Sequence, residues 1–316
     1  MSALTQADHA AELHGPAERG YQLIADVTRW PVLFGPCVAA EVLEKSATDE
    51  RIRLWALAGD QVHSWTSWRG FDPGQLRVDF RQEEPSPPVT AMSGRWEFTP
   101  AGGTGPARLV LSHAWSTADP ADSAGIAGAL DHNSNAEVGA IRAWADRAED
   151  PDELVFSFTD RVAMRSDPAA VYDFLARAEL WPARIGHVRG LDLDEAAEPV
   201  AGGRVQVMDM LTAGGDGSTH STRSVRLCFP GERIVYKQTS VPRGLLGHAG
   251  EWVVAAVQGG TTVTARHTVA LDPAAVGDVF GPGTTLDKAR RLAQGLLSGN
   301  SRLTLESAAR FTGGAA

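Results

Sequence analysis

Between residues 63 and 69 the chain reads His63-Ser64-Trp65-Thr66-Ser67-Trp68-Arg69. Alternate side chains of an extended strand share a face, so His63, Trp65, Ser67 and Arg69 are predicted to share one environment. An aromatic plate, a hydroxyl and a guanidinium in one line suit a planar ligand rich in oxygens. By the same period Met92, Gly94, Trp96 and Phe98 point together, as do Leu109, Leu111, His113 and Trp115. Their apolar members mark the inward face, which carries Arg69, Ser67, His63 and His113 with it. A guanidinium drawn inward must meet an anionic ligand or a carboxylate to offset its desolvation. Asp60, Asp79 and Glu97 are the carboxylates considered for a purely structural pair.

These residues belong to a repeat. Tyr21 through Trp30-Pro31 to Gly35 is matched, at identical spacing, by Tyr172 through Trp181-Pro182 to Gly186. The pattern His-Ser-x-x-Ser-x-Arg occurs at His63 and again at His220, with Pro73 and Pro230 four residues beyond each copy. Gly94-Arg95-Trp96 returns as Gly250-Glu251-Trp252, His113 as His267, and Asn133-Ser134 as Asn300-Ser301. Collinear matches over so long a stretch indicate a duplicated domain. Charge and proline interrupt the pattern near Glu149-Asp150-Pro151, which divides the chain into domains 1–150 and 151–316.

Each half has the same order of elements. A short amphipathic helix opens near Pro16, and again at Pro168, where proline suits the first turn. Alternating segments follow, among them 51–55, 62–69, 77–80, 92–98 and 109–115, separated by Asp, Gly and Pro clusters that read as turns of an antiparallel meander. The glycine-rich runs at 102–105 and 214–217 are hairpin turns, since strand rather than helix follows them. Long helical patterns close each half, over 121–147 and 273–311, the second interrupted at Gly281-Pro282-Gly283. The fold class is therefore α+β: two tandem helix-grip domains, each a curved antiparallel sheet wrapped around a long C-terminal helix, with room for a cavity between them.

Composition narrows the ligand. With 29 basic and 39 acidic residues the chain is a poor partner for nucleic acid, whose binding rests on neutralised phosphates. No apolar run approaches the roughly 20 residues of a membrane span, and the first residues lack a signal-peptide pattern, so the expected compartment is the cytoplasm. Cys37 and Cys228 are too few for a disulfide framework, and the histidines show no metal-ligand spacing, so neither metal nor cofactor is expected. Seven of the nine tryptophans fall in the first half, and Trp30, Trp65 and Trp96 are those placed to wall a cavity. Residues 1–150 hold 12 Lys+Arg against 21 Asp+Glu, whereas 151–316 hold 17 against 18, so the second half meets an acidic partner more readily.

Trp30-Pro31, the run from Trp65 to Pro73, Arg81-Gln82, Met92 to Trp96 and His132-Asn133-Ser134-Asn135 together resemble bacterial aromatic polyketide aromatase/cyclases of the two-domain kind. The resemblance spans essentially the whole chain and is strongest over 9–145. It implies a START/Bet v1-like fold and cofactor-independent closure and dehydration of the first ring of a poly-β-ketone made by a type II polyketide synthase. The substrate would be a ketoreduced chain on an acyl carrier protein, closed between carbons 7 and 12, in association with the ketosynthase and ketoreductase of the pathway. The family's pocket arginine and serine fall on Arg69 and Ser67. Its walls fall on Trp30, Trp65, Met92 and Trp96, with Phe34 where a single-domain pattern has tyrosine, and Arg81 and Asn135 match polar pocket positions. In the second domain His220, Ser224, Arg226, Trp252 and His267 form the corresponding pocket, with Thr222 in place of the tryptophan and Val225 in place of Trp68.

Aldol closure moves charge onto oxygen at each step, which assigns Arg69 to enolate and carbonyl stabilisation rather than to proton abstraction. The proton would travel through water held by Ser67, or through His63 or His113, whose ordinary pKa of about 6.5 suits exchange near neutrality. Arg69→Ala is expected to abolish ring formation with the fold intact. The other reading is a noncatalytic tandem carrier of lipids or polyketides, which the fold serves equally well.

Overall fold

The computed structural model describes residues 4–59, 61–85, 87–102, 105–213 and 217–313. Asp60 and the central residues of both glycine-rich turns lie outside them. Backbone contacts divide the chain into two units, Met1–Pro151 and Asp152–Ala316.

The first unit begins with β1 (Thr5–Leu13), α1 (Ala17–Ala25) and, after a single 3-10 turn, α2 (Trp30–Leu33). The meander follows: β2 (Cys37–Lys45), β3 (Asp49–Ala58), β4 (Gln61–Asp72), β5 (Arg77–Gln82), β6 (Val89–Thr99) and β7 (Ala107–Thr117). The long helix α3 (Ser123–Ala145) ends it. The seven strands form one antiparallel sheet in the order β1-β7-β6-β5-β4-β3-β2. Strict alternation drives this: along β7 every second residue from Ala107 to Thr117 is buried. On α3 the buried residues Ser134, Val138, Ile141 and Ala145 recur at helical spacing, and all lie in its C-terminal half. The N-terminal half of α3 is mostly exposed, which leaves the sheet uncovered there and opens a hollow.

After α4 (Pro151–Leu154) the second unit repeats the plan: β8 (Val155–Met164), α5 (Pro168–Ala176), α6 (Trp181–Arg184), then β9 (Val188–Glu195), β10 (Arg204–Ala213), β11 (Thr219–Phe229), β12 (Arg233–Ser240), β13 (Leu245–Val257) and β14 (Gly260–Leu271). Its sheet has the order β8-β14-β13-β12-β11-β10-β9. The closing helix is split into α7 (Val276–Phe280) and α8 (Leu286–Thr312). Gly281 and Gly283 have φ of 99° and 76°, conformations that stop a helix and that glycine takes without strain.

Register aligns equivalent residues across the sheets. Glu50, Arg69, Phe80, Gly94 and His113 lie in one row across β3 to β7. In the second unit the row is Gln206, Arg226, Tyr236, Gly250 and His267. The repeated glycine has a steric cause. A Cβ on Gly94 would overlap the Phe80 ring and the Ser112 carbonyl, and one on Gly250 would stand 2.6 Å from the Tyr236 hydroxyl. Glycine here lets the neighbouring ring lie across β6 or β13 and face the interior.

Candidate active site

The hollow of the first domain is a cavity of about 220 Å³. Trp30, Phe34, Trp65, Met92 and Trp96 wall it, and Ser67, Arg69, Gln82, His113 and Glu137 bring polar groups to it. Trp30 is held by its own indole, which donates to the Leu23 carbonyl at 3.2 Å, while its ring meets Phe34 edge-on at 5.2 Å.

Arg69 is 3% exposed. Its Nη2 donates to the carbonyls of Ile24 at 2.6 Å and Ala25 at 3.4 Å, acceptors at the C-terminal end of α1 that the helix itself leaves unpaired. The guanidinium also lies 4.9 Å from the Trp30 ring. Nη1 stands 3.2 Å from Oε1 of Glu50, the residue directly across on β3, without the alignment of a hydrogen bond. Glu50 is itself 1% exposed, whereas Asp79, a partner expected from sequence, bonds Arg77 and Arg95. Burial pulls the Arg69 pKa down to about 10, against the opposing pull of Glu50, so it remains charged at neutral pH.

Two titratable groups face the same cavity. Burial depresses His113 to about 4, with His9 adding to the shift, so the imidazole is neutral and its Nδ1 lies 3.4 Å from Ser134 Oγ. Glu137 of α3, half-buried, is lifted to about 7 by burial alone. A carboxyl poised near neutrality can take and return a proton.

Three residues expected in the cavity stand outside it. His63 shares the parity of Arg69 but is exposed near the start of β4, six residues and about 20 Å along the strand. Arg81 pairs with Trp68, so alternation sends it to the outer face and turns Phe80 and Gln82 inward. Asn135 is exposed on α3 and donates to the Asp131 carbonyl at 2.8 Å, because helical turning brings Asn133, Ser134 and Glu137 to the cavity instead. Glu137 was legible only as a position three residues beyond the repeated Asn-Ser pair.

The second domain holds a cavity of about 120 Å³ lined by all five residues expected there, His220, Ser224, Arg226, Trp252 and His267. Arg226 copies the scaffold of Arg69: Nη2 donates to Leu175 at 2.5 Å, and the guanidinium lies 5.1 Å from Trp181, whose indole donates to Phe174. The chemistry around it differs. Gln206 replaces Glu50, Tyr236 replaces Phe80, His248 stands where Met92 does, and Thr304 takes the place of Glu137.

Among curated proteins the chain is 45% identical, over 96% of both lengths, to the actinorhodin polyketide synthase bifunctional cyclase/dehydratase of Streptomyces coelicolor. The chain belongs to the polyketide cyclase/dehydratase family. The granaticin polyketide synthase bifunctional cyclase/dehydratase of Streptomyces violaceoruber is 42% identical over 96% of this chain and 93% of its own. The family model for polyketide cyclase/dehydrase and lipid transport matches residues 13–126. Among solved structures, the di-domain ARO/CYC BexL from the BE-7585A biosynthetic pathway superposes with a TM-score of 0.81 at 40% identity, covering 99% of this chain and all of that one. The di-domain ARO/CYC StfQ from the steffimycin pathway gives 0.76 at 32% identity, covering 97% of this chain and 98% of its own. Among the described residues no helix is long and apolar enough to cross a membrane.

Proposed function

We propose that the protein closes and dehydrates the first ring of a ketoreduced poly-β-ketone held as a thioester on an acyl carrier protein, joining carbons 7 and 12, and that the cavity of the first domain performs the closure. The observation carrying this is the gathering of Glu137, Arg69 and Ser67 in one aromatic-walled cavity. The Glu137 carboxylate removes a proton from a methylene between two carbonyls. The enolate oxygen is met by Nη1 of Arg69, the guanidinium nitrogen not spent on α1, and by the Ser67 hydroxyl. The enolate carbon attacks the distant carbonyl, and Glu137 returns the proton to the alkoxide formed. Trp30, Trp65 and Trp96 confine the chain to the folded shape that brings the two carbons together, replacing a search by a fixed geometry. The near-balanced charge of the second half makes its surface the docking face for an acidic carrier, and the ketosynthase and ketoreductase of the pathway supply the substrate.

Reconstitution of the synthase with and without the protein tests this. One C7–C12 ring pattern is expected with it and a mixture of spontaneous cyclisation products without it. Identical product spectra would reduce the protein to a carrier.

A further inference from the structure

The second cavity contains a hydrogen-bonded chain of side chains that the first lacks. Gln238 Oε1 lies 3.0 Å from Nδ1 of His248, whose Nε2 lies 3.1 Å from Nδ1 of His267, and the Tyr236 hydroxyl lies 3.0 Å from that same nitrogen. The two imidazoles stack at 5.4 Å and 18°. One assignment of protons satisfies the chain. Gln238 Oε1 accepts from His248 Nδ1–H, His248 Nε2 accepts from His267 Nδ1–H, and the Tyr236 hydroxyl keeps its proton for another acceptor. That leaves Nε2 of His267 unprotonated, and it is buried without a hydrogen-bond partner. Arg226 faces this chain with Nη1 likewise buried and unpartnered, and among the described residues no carboxylate forms an ion pair with it, because Gln206 stands across the ladder. A buried cation beside a neutral donor–acceptor chain is arranged for a substrate that develops negative charge on oxygen while it gives up one proton and takes another.

Building on the proposed function, we infer that the second cavity is a separate active site that eliminates water from the β-hydroxy ketone produced by ring closure. The substrate carbonyl oxygen sits at Arg226 Nη1. Nε2 of His267 takes the proton from the carbon next to that carbonyl. Tyr236 gives its proton to the departing hydroxyl as His267 Nδ1–H restores the tyrosine. The C–O bond breaks, a C=C bond forms and water leaves, with no change of oxidation state overall. His267 then carries its proton on Nε2, and its return to Nδ1 readies the site. Burial depresses His248 to about 3 and His267 to about 4, which keeps both rings neutral between turnovers. Gln238 and His248 are positioning residues: they hold His267 in the tautomer the reaction needs.

The first domain supplies the test variants, since it carries phenylalanine and methionine at the equivalent positions within the same fold. Tyr236→Phe and His248→Met in the full-length protein are each incubated with carrier-bound ketoreduced poly-β-ketone, and products are weighed by mass spectrometry. The wild type is expected to release dehydrated ring. Each variant is expected to close the ring at the wild-type rate and accumulate a product heavier by one water, with dehydration slowed at least about tenfold. Dehydration at the wild-type rate in Tyr236→Phe, or equal loss of closure and dehydration in a variant with an unchanged melting temperature, overturns the inference. If the wild type closes no ring, the proposed function fails and this inference with it. If His248→Met does not fold, Tyr236→Phe, which removes one oxygen, decides alone.

Discussion

Arg69 and Arg226 hold equivalent places in their sheets, yet one faces a buried glutamate and the other a glutamine. Arg69→Ala therefore does more than remove the group proposed to meet the enolate oxygen. It leaves Glu50, a buried carboxylate, with only the exposed Lys45 ammonium at 3.7 Å as a partner, a loss of up to about 3–5 kcal/mol. In urea unfolding, Arg69→Ala should be strongly destabilised, and Arg69→Ala combined with Glu50→Gln should regain much of the loss; a double variant no more stable than the single one would show that the pair is not what holds Glu50. Glu137 titrates in the opposite sense. Its carboxyl ionises near 4.5 in an unfolded chain and at about 7 in the fold, so the native state binds more protons between those values and stability falls as pH rises through them. Glu137→Gln should raise the melting temperature at about pH 8 and leave it unchanged at about pH 4. A variant no more stable at the higher pH would contradict the desolvated placement of this carboxyl.

At the level of elements, part of the repeat is scaffolding. Tyr21, Trp30 and Arg69 recur as Tyr172, Trp181 and Arg226, and the tryptophan and arginine of each set tie the sheet to the end of the first helix. This is why the tandem plan and both meanders could be read from spacing alone. Strand alternation placed Trp65, Ser67 and Met92 on the cavity side, but the side to which Arg81 turns depends on its pairing with Trp68, which one strand cannot reveal. Along α3 only tertiary packing selects the inward stripe, so the sequence alone does not separate Glu137, which lines the cavity, from Asn135, which does not. The chain of Tyr236, His248 and His267 joins three strands and has no local pattern. Gly94 and Gly250 make the same point sterically. Gly94→Ala is expected to destabilise the protein by about 1–3 kcal/mol as the Phe80 ring is forced off β6, a change readable by thermal melting. Wild-type stability in that variant would mean that the ring and the Ser112 carbonyl both give way without strain.

Across the whole molecule, two copies of one fold differ in the titratable side chains that line their cavities. The first domain pairs a carboxyl near neutrality with one neutral histidine, and the second holds three neutral histidines and a tyrosine. Histidines whose folded pKa lies below the unfolded value of about 6.5 stabilise fully above that value and lose their contribution as pH falls toward 4. The second domain, with three such residues (His187, His248 and His267) against His113 in the first, should lose amide-exchange protection at a higher pH than the first on acidification; the reverse order would contradict their burial in the neutral form. The pH dependence of ring closure tests the role of the first domain's cavity most directly. With carrier-bound ketoreduced poly-β-ketone as substrate, the wild-type rate should rise through a single ionisation at about pH 7, and Glu137→Gln should abolish closure while retaining a folded protein. Closure by Glu137→Gln at the wild-type rate, with the same rise near pH 7, would contradict the account.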